Sequence, residues 1–460
     1  MKLNCRGERP FAPRPVGCLA RLSNNPIKSL QVPALSVLTL LSVTLITPKT
    51  LAEDTSALIE RWQNLEIRWE QQYSEYFGVS LSDRSPEFTE MIDTLAQQSL
   101  ANRQTSAILY AIPHDEKLEL ILATSTGIAV QEWVPVTQQE LLQTVSNFEN
   151  ELINPRRRRS TAYRQLAQQL HDWLISPVSD SLEAEGIEHL IFSLGEGLRT
   201  LPMAALHDGD GFLIETYSLG RIPGYLLMDT GSRSLRNAQV LAMGASEFED
   251  AAPLPAVPLE LASIVPRLWQ GQSFLNEGFT LGNLQEQRQQ RDYSIIHLAT
   301  HAQFQPGDAD ASYLQFWDQR LSLTRLRELD WQSSPVELLV LSACSTARGD
   351  VQAELGFAGL AVQSGIPTVL ASLWAVSDVG TLLLMSEFYE QLKTAPTPAV
   401  ALRRSQLAAL RGELDFTPPP LSDNLPPGTL VGSPLPDPVE QLDVSHPYYW
   451  SAFTNIGNPW

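Results

Sequence analysis

From residue 187 onward, short apolar runs alternate with amphipathic stretches, and that alternation restricts the chain to one class of fold. The runs Ile187–Leu194, Gln239–Gly244, Tyr293–Ala299, Val336–Ser342 and Thr368–Leu373 are nearly unbroken in apolar residues. Strands of that kind belong to a sheet covered on both faces. Helical periodicity fills the intervals 257–269, 280–290, 351–364, 378–393 and 397–411. Strands separated by helices imply βαβ units, and so an α/β fold with a mostly parallel sheet flanked by helices. Leu213–Ile222, preceded by a Gly-Asp-Gly turn, and Tyr313–Leu323 read as hairpins, and His446–Ile456 as a final strand or edge segment. Residues 415–445 hold eight prolines and no period, which predicts a long surface loop.

Upstream, Leu58, Trp62, Leu65, Trp69 and Tyr73 recur at spacings of three and four, one face of a helix. A second helix is expected over roughly 86–101. The two make a helical extension over 53–103 that packs on the main domain or, through helices 55–101, docks a protein partner. A β-rich segment over 104–159 follows, with runs at Ser106–Ile112, Lys117–Thr124 and Ile128–Val134. The main domain then occupies 160–460.

Residues 1–52 carry seven basic residues and one acid around the apolar stretch Val32–Ile46. A basic start, an apolar middle and a small-residue exit before Glu53 follow the order of a secretory signal peptide. The stretch is short for a spanning helix, while the long basic region fits an uncleaved anchor through residues 32–46. Either way the body of the protein is expected outside the cytoplasm, exported or membrane-anchored, with a membrane involved only if the segment stays. The whole chain has 52 acidic and 32 basic side chains, net −20, and such a surface repels phosphate backbones, so no nucleic-acid partner is expected. Cys5 and Cys18 lie in the leader, which leaves Cys344 without an intramolecular disulfide partner. That thiol is either a small core hydrophobe or a reactive group.

Ligands of open α/β sheets bind outside the carboxyl ends of the strands. The run from Ser294 ends in His301 and the run from Val336 ends in Cys344, 43 residues later. If the two strands are neighbours, imidazole and thiol share one rim, where the ring can take the thiol proton. Main-chain N–H groups of Ala302 and Cys344 then serve a developing oxyanion. Rival motifs are weaker. His297 and His301 are four apart, but Leu298 stands where a zinc helix needs Glu, within a β-type run, so no metal is expected. There is no G-x-S-x-G elbow, and Gly195-Glu-Gly197 lacks the third glycine of a dinucleotide loop, so no cofactor is expected. His207–Gly211 fits a hairpin turn better than a calcium loop, and His297 fits a core position.

Five ordered segments add a resemblance. Ile296–Phe304 (IHLATHAQF), Leu341–Ala347 (LSACSTA) and Ala371–Asp378 (ASLWAVSD), with Leu201–Gly209 and His446–Phe453, are similar to signature segments of the CHAT family over about 160 to 460. These are caspase-like domains related to caspases, separases and gingipains, often joined to tetratricopeptide repeats; no such repeat is present here. The resemblance implies a caspase-like fold and a cysteine endopeptidase acting on a protein or peptide substrate, with His301 as general base and Cys344 as nucleophile. It also implies that Asp378 reads a basic side chain before the cut, although Asp378 fits a helix N-cap as well. The family pattern often has Gly where Ala302 stands. The alternative function is a catalytically silent interaction module.

Overall fold

The structure is a computed structural model that describes residues 48–158, 160–231, 234–329, 331, 336–346, 350–414 and 442–460, and the side chains of 48–55 and 343–346 fall outside that description. The expected leader therefore lies almost wholly outside the described residues, as do the Cys344 side chain and most of the proline-rich loop. Among the described residues, no helix is long and apolar enough to cross a membrane.

The apolar runs and the upstream β-type runs join one mixed sheet. Its strands are β1 (Ser106–His114), β2 (Lys117–Thr124), β3 (Gly127–Val134), β4 (His189–Leu194), β5 (Ser218–Ile222), β6 (Val240–Gly244), β7 (Gly271–Leu275), β8 (Ile295–Phe304), β9 (Tyr313–Gln315), β10 (Arg320–Ser322), β11 (Leu338–Thr346), β12 (Thr368–Ser372) and β13 (Phe453–Gly457). They lie in the order β3-β2-β1-β4-β5-β13-β12-β11-β8. At β8 the path divides: its first half pairs with β6, which pairs with β7, and its second half pairs with the β9–β10 hairpin. Strands β7, β6, β8, β11 and β12 are mutually parallel, as expected for βαβ units. The β-rich segment over 104–159 extends the same sheet, since β1 pairs in parallel with β4.

Three elements depart from the sequence reading. The supposed hairpin over Leu213–Ile222 is a short helix, Leu213–Thr216, followed by β5, a parallel strand between β4 and β13. β5 reads Ser-Leu-Gly-Arg-Ile, so no apolar run announces it. β13 is no edge segment: it runs antiparallel to β12 and parallel to β5, and joins the two blocks of the sheet. The helix expected over 257–269 is regular only over Val257–Ala262, because Pro266 cannot continue the hydrogen-bond ladder. The turn at 208–211 is a hairpin turn, closed by a bridge between His207 and Phe212.

The predicted aromatic stripe lies on α1 (Pro48–Phe77), followed by α2 (Phe88–Asn102). Trp62, Leu65, Trp69, Tyr73 and Phe77 are all buried, so the face expected either to pack or to dock a partner is covered by the protein itself. Burying each such side chain stabilises by about 1.5–3 kcal/mol. Glu66 sits within this face, wholly buried, and accepts from the Tyr110 hydroxyl (2.8 Å) and from the main-chain N–H groups of Tyr225 (3.0 Å) and Leu226 (2.9 Å). Those three donors satisfy a carboxylate whose burial alone would be costly.

The carboxyl-terminal end of α1 rests on the helices that follow β11, Val351–Ala358 and Leu360–Ser364. Closeness there depends on glycine. A Cβ on Gly359 would lie 2.6 Å from Phe77 and 2.9 Å from Tyr73, and one on Gly356 would lie 2.7 Å from the Tyr76 hydroxyl. Gly359→Leu is expected to destabilise the fold by about 1–3 kcal/mol through overpacking, measured as a lower urea midpoint at unchanged m-value.

Candidate active site

Parallel pairing of β8 with β11 decides what the two candidate residues can do. The register runs Leu338↔Ile295 through Leu341↔Leu298, then Ala343↔His301 and Cys344↔Ala302. His301 and Cys344 thus lie one register step apart on neighbouring strands, positions that alternate faces in a regular ladder. Both strands are longer than their apolar runs suggested, so His301 and Cys344 lie inside the ladder near its carboxyl end rather than beyond it. Between the two matched stretches, Ala299 and Thr300 face the single residue Ser342. A bulge of this kind bends its strand and re-aims the side chains beyond it. Ala302, expected to offer an oxyanion donor, is the register partner of Cys344 itself.

His301 is half-buried, and its ring is held from two sides by the loop that follows β6. Its Nε2 lies 2.8 Å from the Ala252 carbonyl oxygen. A carbonyl can only accept, so Nε2 carries the proton and Nδ1 of the neutral ring keeps a free lone pair. Phe248 packs against the ring at 4.7 Å between centroids. Beyond Cys344, Asp350 caps the next helix by accepting from Gln352 N (3.0 Å) and Ala353 N (2.9 Å). Gln352 in turn accepts from Gly307 N (2.8 Å), which ties the segment after β11 to the segment after β8.

A cleft of about 540 Å³ opens beside His301, within the usual range for ligand sites. The loop after β6 contributes Glu247, Phe248, Glu249 and Asp250, and the β9–β10 hairpin contributes Trp317, Asp318 and Arg320. Four carboxylates against one guanidinium make the lining acidic. Another cavity, of about 280 Å³, lies at the opposite end of the strands by Glu337 and Thr368.

Comparison with known proteins agrees with this fold. The CHAT domain matches residues 164–458. The chain belongs to the CHAT family. No curated protein matches it in sequence. Among solved structures, the Saccharomyces cerevisiae separase–securin complex at 2.6 Å resolution is similar, with a TM-score of 0.51 and 11% identity over 88% of this chain and 34% of that one. The same complex at 3.0 Å gives a TM-score of 0.48 and 11% identity over 80% of this chain and 31% of that one. The chain therefore spans about a third of the length of those separase chains, and what it shares with them is the caspase-like α/β fold.

Within the CHAT domain, Asp378 is engaged by the protein's own main chain. It is the first residue of the helix Asp378–Leu392, which Ser377 rather than Asp378 caps. Its Oδ2 accepts from Ala256 N at 2.5 Å. His297 is wholly buried, a core position as expected. Its Nδ1 shares a hydrogen bond with the Tyr389 hydroxyl (3.2 Å), while Nε2 approaches Glu260 at 3.1 Å in poor alignment. The two histidines of β8 therefore have separate surroundings. The contribution of the loop Ala245–Ala256 was missed from sequence. The signal was its position at the carboxyl end of β6, which becomes informative only once β6 is known to border β8.

Burial pushes the Asp378 carboxyl up to about 7 and nearby Glu260 adds to the rise, while the Ala256 N–H pulls it back. The folded value exceeds the unfolded one, so this group's contribution to stability is full below about pH 4 and is lost as pH rises through about 7. Asp378→Asn does not titrate. Its stability is expected to gain on wild type from about pH 4 to 7 and to run parallel above, measured as urea midpoints across that range.

Proposed function

We propose that this CHAT protein is a cysteine endopeptidase. The observation that carries the reading is the β8–β11 register, which sets His301 and Cys344 one step apart on adjacent strands, with Nδ1 the basic nitrogen of the neutral His301 ring. In the proposed reaction, His301 Nδ1 takes the Cys344 thiol proton and the thiolate attacks a scissile carbonyl. The oxyanion is met by a main-chain N–H of the Ala302–Cys344 pair, the other being spent on the ladder between their strands. Protonated His301 then delivers its proton to the leaving amine, and water hydrolyses the acyl-enzyme. The acidic lining of the cleft supports a preference for peptides with Arg or Lys near the cut.

Cys344→Ala is expected to abolish cleavage of a peptide library, and His301→Ala to lower kcat by about 10²–10⁴-fold. Iodoacetamide is expected to alkylate Cys344 at neutral pH faster in wild type than in His301→Ala. A library left uncut by wild type, together with alkylation equally slow in both proteins, would favour the catalytically silent interaction module. Peptides varied at the position before the cut read the basic preference, and equal rates for Arg, Lys and Leu would reject it.

Export is part of the proposal, on the basic–apolar–small order of residues 1–52. The mature amino terminus is expected near Glu53, and secreted material that retains Met1 would contradict cleavage.

A further inference from the structure

Residues Ala245–Ala256 connect β6 to the helix Val257–Ala262, and they touch His301 twice, through the Phe248 ring and the Ala252 carbonyl. Their own support is spread over both ends. At the start, Ala245 N donates to Ala299 O (3.1 Å) and Ser246 N donates to the Asn276 side chain (2.9 Å). Leu254 N reaches back to Ser246 O (2.9 Å) and closes the neck of the loop. At the far end, Ala256 N donates to Asp378 Oδ2.

The segment between the His301 contact and the Asp378 contact reads Ala252-Pro253-Leu254-Pro255-Ala256. Proline fixes φ, and a residue before proline is confined to extended conformations. Pro253 and Pro255 fix their own backbone and restrict Ala252 and Leu254. Four of these five residues therefore have little freedom, and the fifth is held by Asp378. The segment is a strut: a displacement at Ala256 carries through to the Ala252 carbonyl.

We propose that Asp378 is a positioning residue for His301, acting through this strut. By accepting from Ala256 N it sets the place of the Ala252 carbonyl, which holds the imidazole in its Nε2–H tautomer and leaves Nδ1 as the basic nitrogen. The proposal rests on the peptidase reading for its catalytic consequence, but not for its geometry. Asp378 needs only an acceptor oxygen for this role. A residue that read a basic substrate side chain would need its negative charge. That difference separates the two roles.

The test uses the full chain with ¹⁵N-labelled histidine, in wild type, Asp378→Asn, Asp378→Ala and the doubly softened Pro253→Gly/Pro255→Gly. His301 signals are assigned by their loss in His301→Gln. Wild type and Asp378→Asn are expected to show the Nε2–H tautomer, whereas Asp378→Ala and the softened strut show a mixture of both tautomers. In peptide cleavage, Asp378→Ala and the softened strut are expected to lose about tenfold to a hundredfold in kcat. KM should change little and the loss should be equal for every residue before the cut, while Asp378→Asn stays within about threefold of wild type, as an acceptor swap at unchanged geometry allows.

Two results would overturn the proposal. One is a wild-type tautomer and kcat in Asp378→Ala. The other is a loss in Asp378→Asn confined to Arg and Lys substrates, which would make the carboxylate a charge reader. If Asp378→Ala does not fold, the softened strut decides the matter alone. If wild type cleaves nothing, the peptidase reading fails, and the tautomer comparison still decides the positioning.

Discussion

Register between two buried parallel strands is the constraint on which the rest of this structure depends. Leu338, Leu339, Val340 and Leu341 of β11 are buried, as are Ile295, Ile296 and Leu298 of β8. Sliding one strand past the other by a single residue would break that packing on both faces at once, because side chains alternate with a period of two. The apolar halves of β8 and β11 thus fix the register as far as the bulge. The apolar register carried on unbroken would set Ala343 against Thr300; the bulge at Ala299–Thr300 shifts it by one residue, so that His301 meets Ala343 and Ala302 meets Cys344.

Holding the rim takes more than the two strands. Asp350 and Gln352 steady the start of the helix after β11, and Gln352 reaches Gly307 beyond β8. Glu354 of the same helix is buried and accepts from Gly197 N (2.9 Å), beside Arg199, which donates to Gln72 of α1 (3.0 Å). Tyr73, Tyr76 and Phe77 press on Gly356 and Gly359 from the other side. The first helix of the described chain is therefore part of the support of the segment that follows the candidate nucleophile. A rearrangement of α1 would reach that segment through direct packing, with no longer path needed.

Features set by period and composition were legible in the sequence. The strands at Gln239–Gly244, Tyr293–Ala299 and Thr368–Leu373 are continuous apolar runs, and they lie within one or two residues of β6, the start of β8 and β12. The aromatic stripe on α1 is a helical face and is buried as one. What stayed hidden depends on contacts between distant residues. β5 carries Gly220 and the buried Arg221, whose guanidinium donates to Leu201 O (2.7 Å), so its place in the sheet comes from neighbours rather than from its own composition. β13 becomes central because the chain returns from residue 442 to fill the space between β12 and β5. The polar ends of β8 and β11 were hidden for a similar reason: Gln303, Phe304, Ser345 and Thr346 show no apolar run, yet the ladder continues through them. The candidate site was legible as two residue types at two strand ends. Its third member was not, because a main-chain carbonyl such as that of Ala252 carries no signature at all.

That third member bears on how the proposed chemistry would be governed. A carboxylate behind His301 would stabilise the charged ring and raise its affinity for a proton. A neutral carbonyl orients the ring and selects its tautomer. Carboxylates stand instead around the mouth of the cleft, at Glu247, Glu249, Asp250 and Asp318. In the proposed reaction they would draw a cationic segment toward the rim, an attraction that weakens with salt because exposed charges are screened over about 8 Å at physiological ionic strength. Orientation of the imidazole and attraction of the substrate are thereby assigned to different groups. The Ala252 carbonyl and three of those carboxylates, Glu247, Glu249 and Asp250, project from the same twelve-residue stretch after β6, so the loop that holds the ring also builds one wall of the cleft.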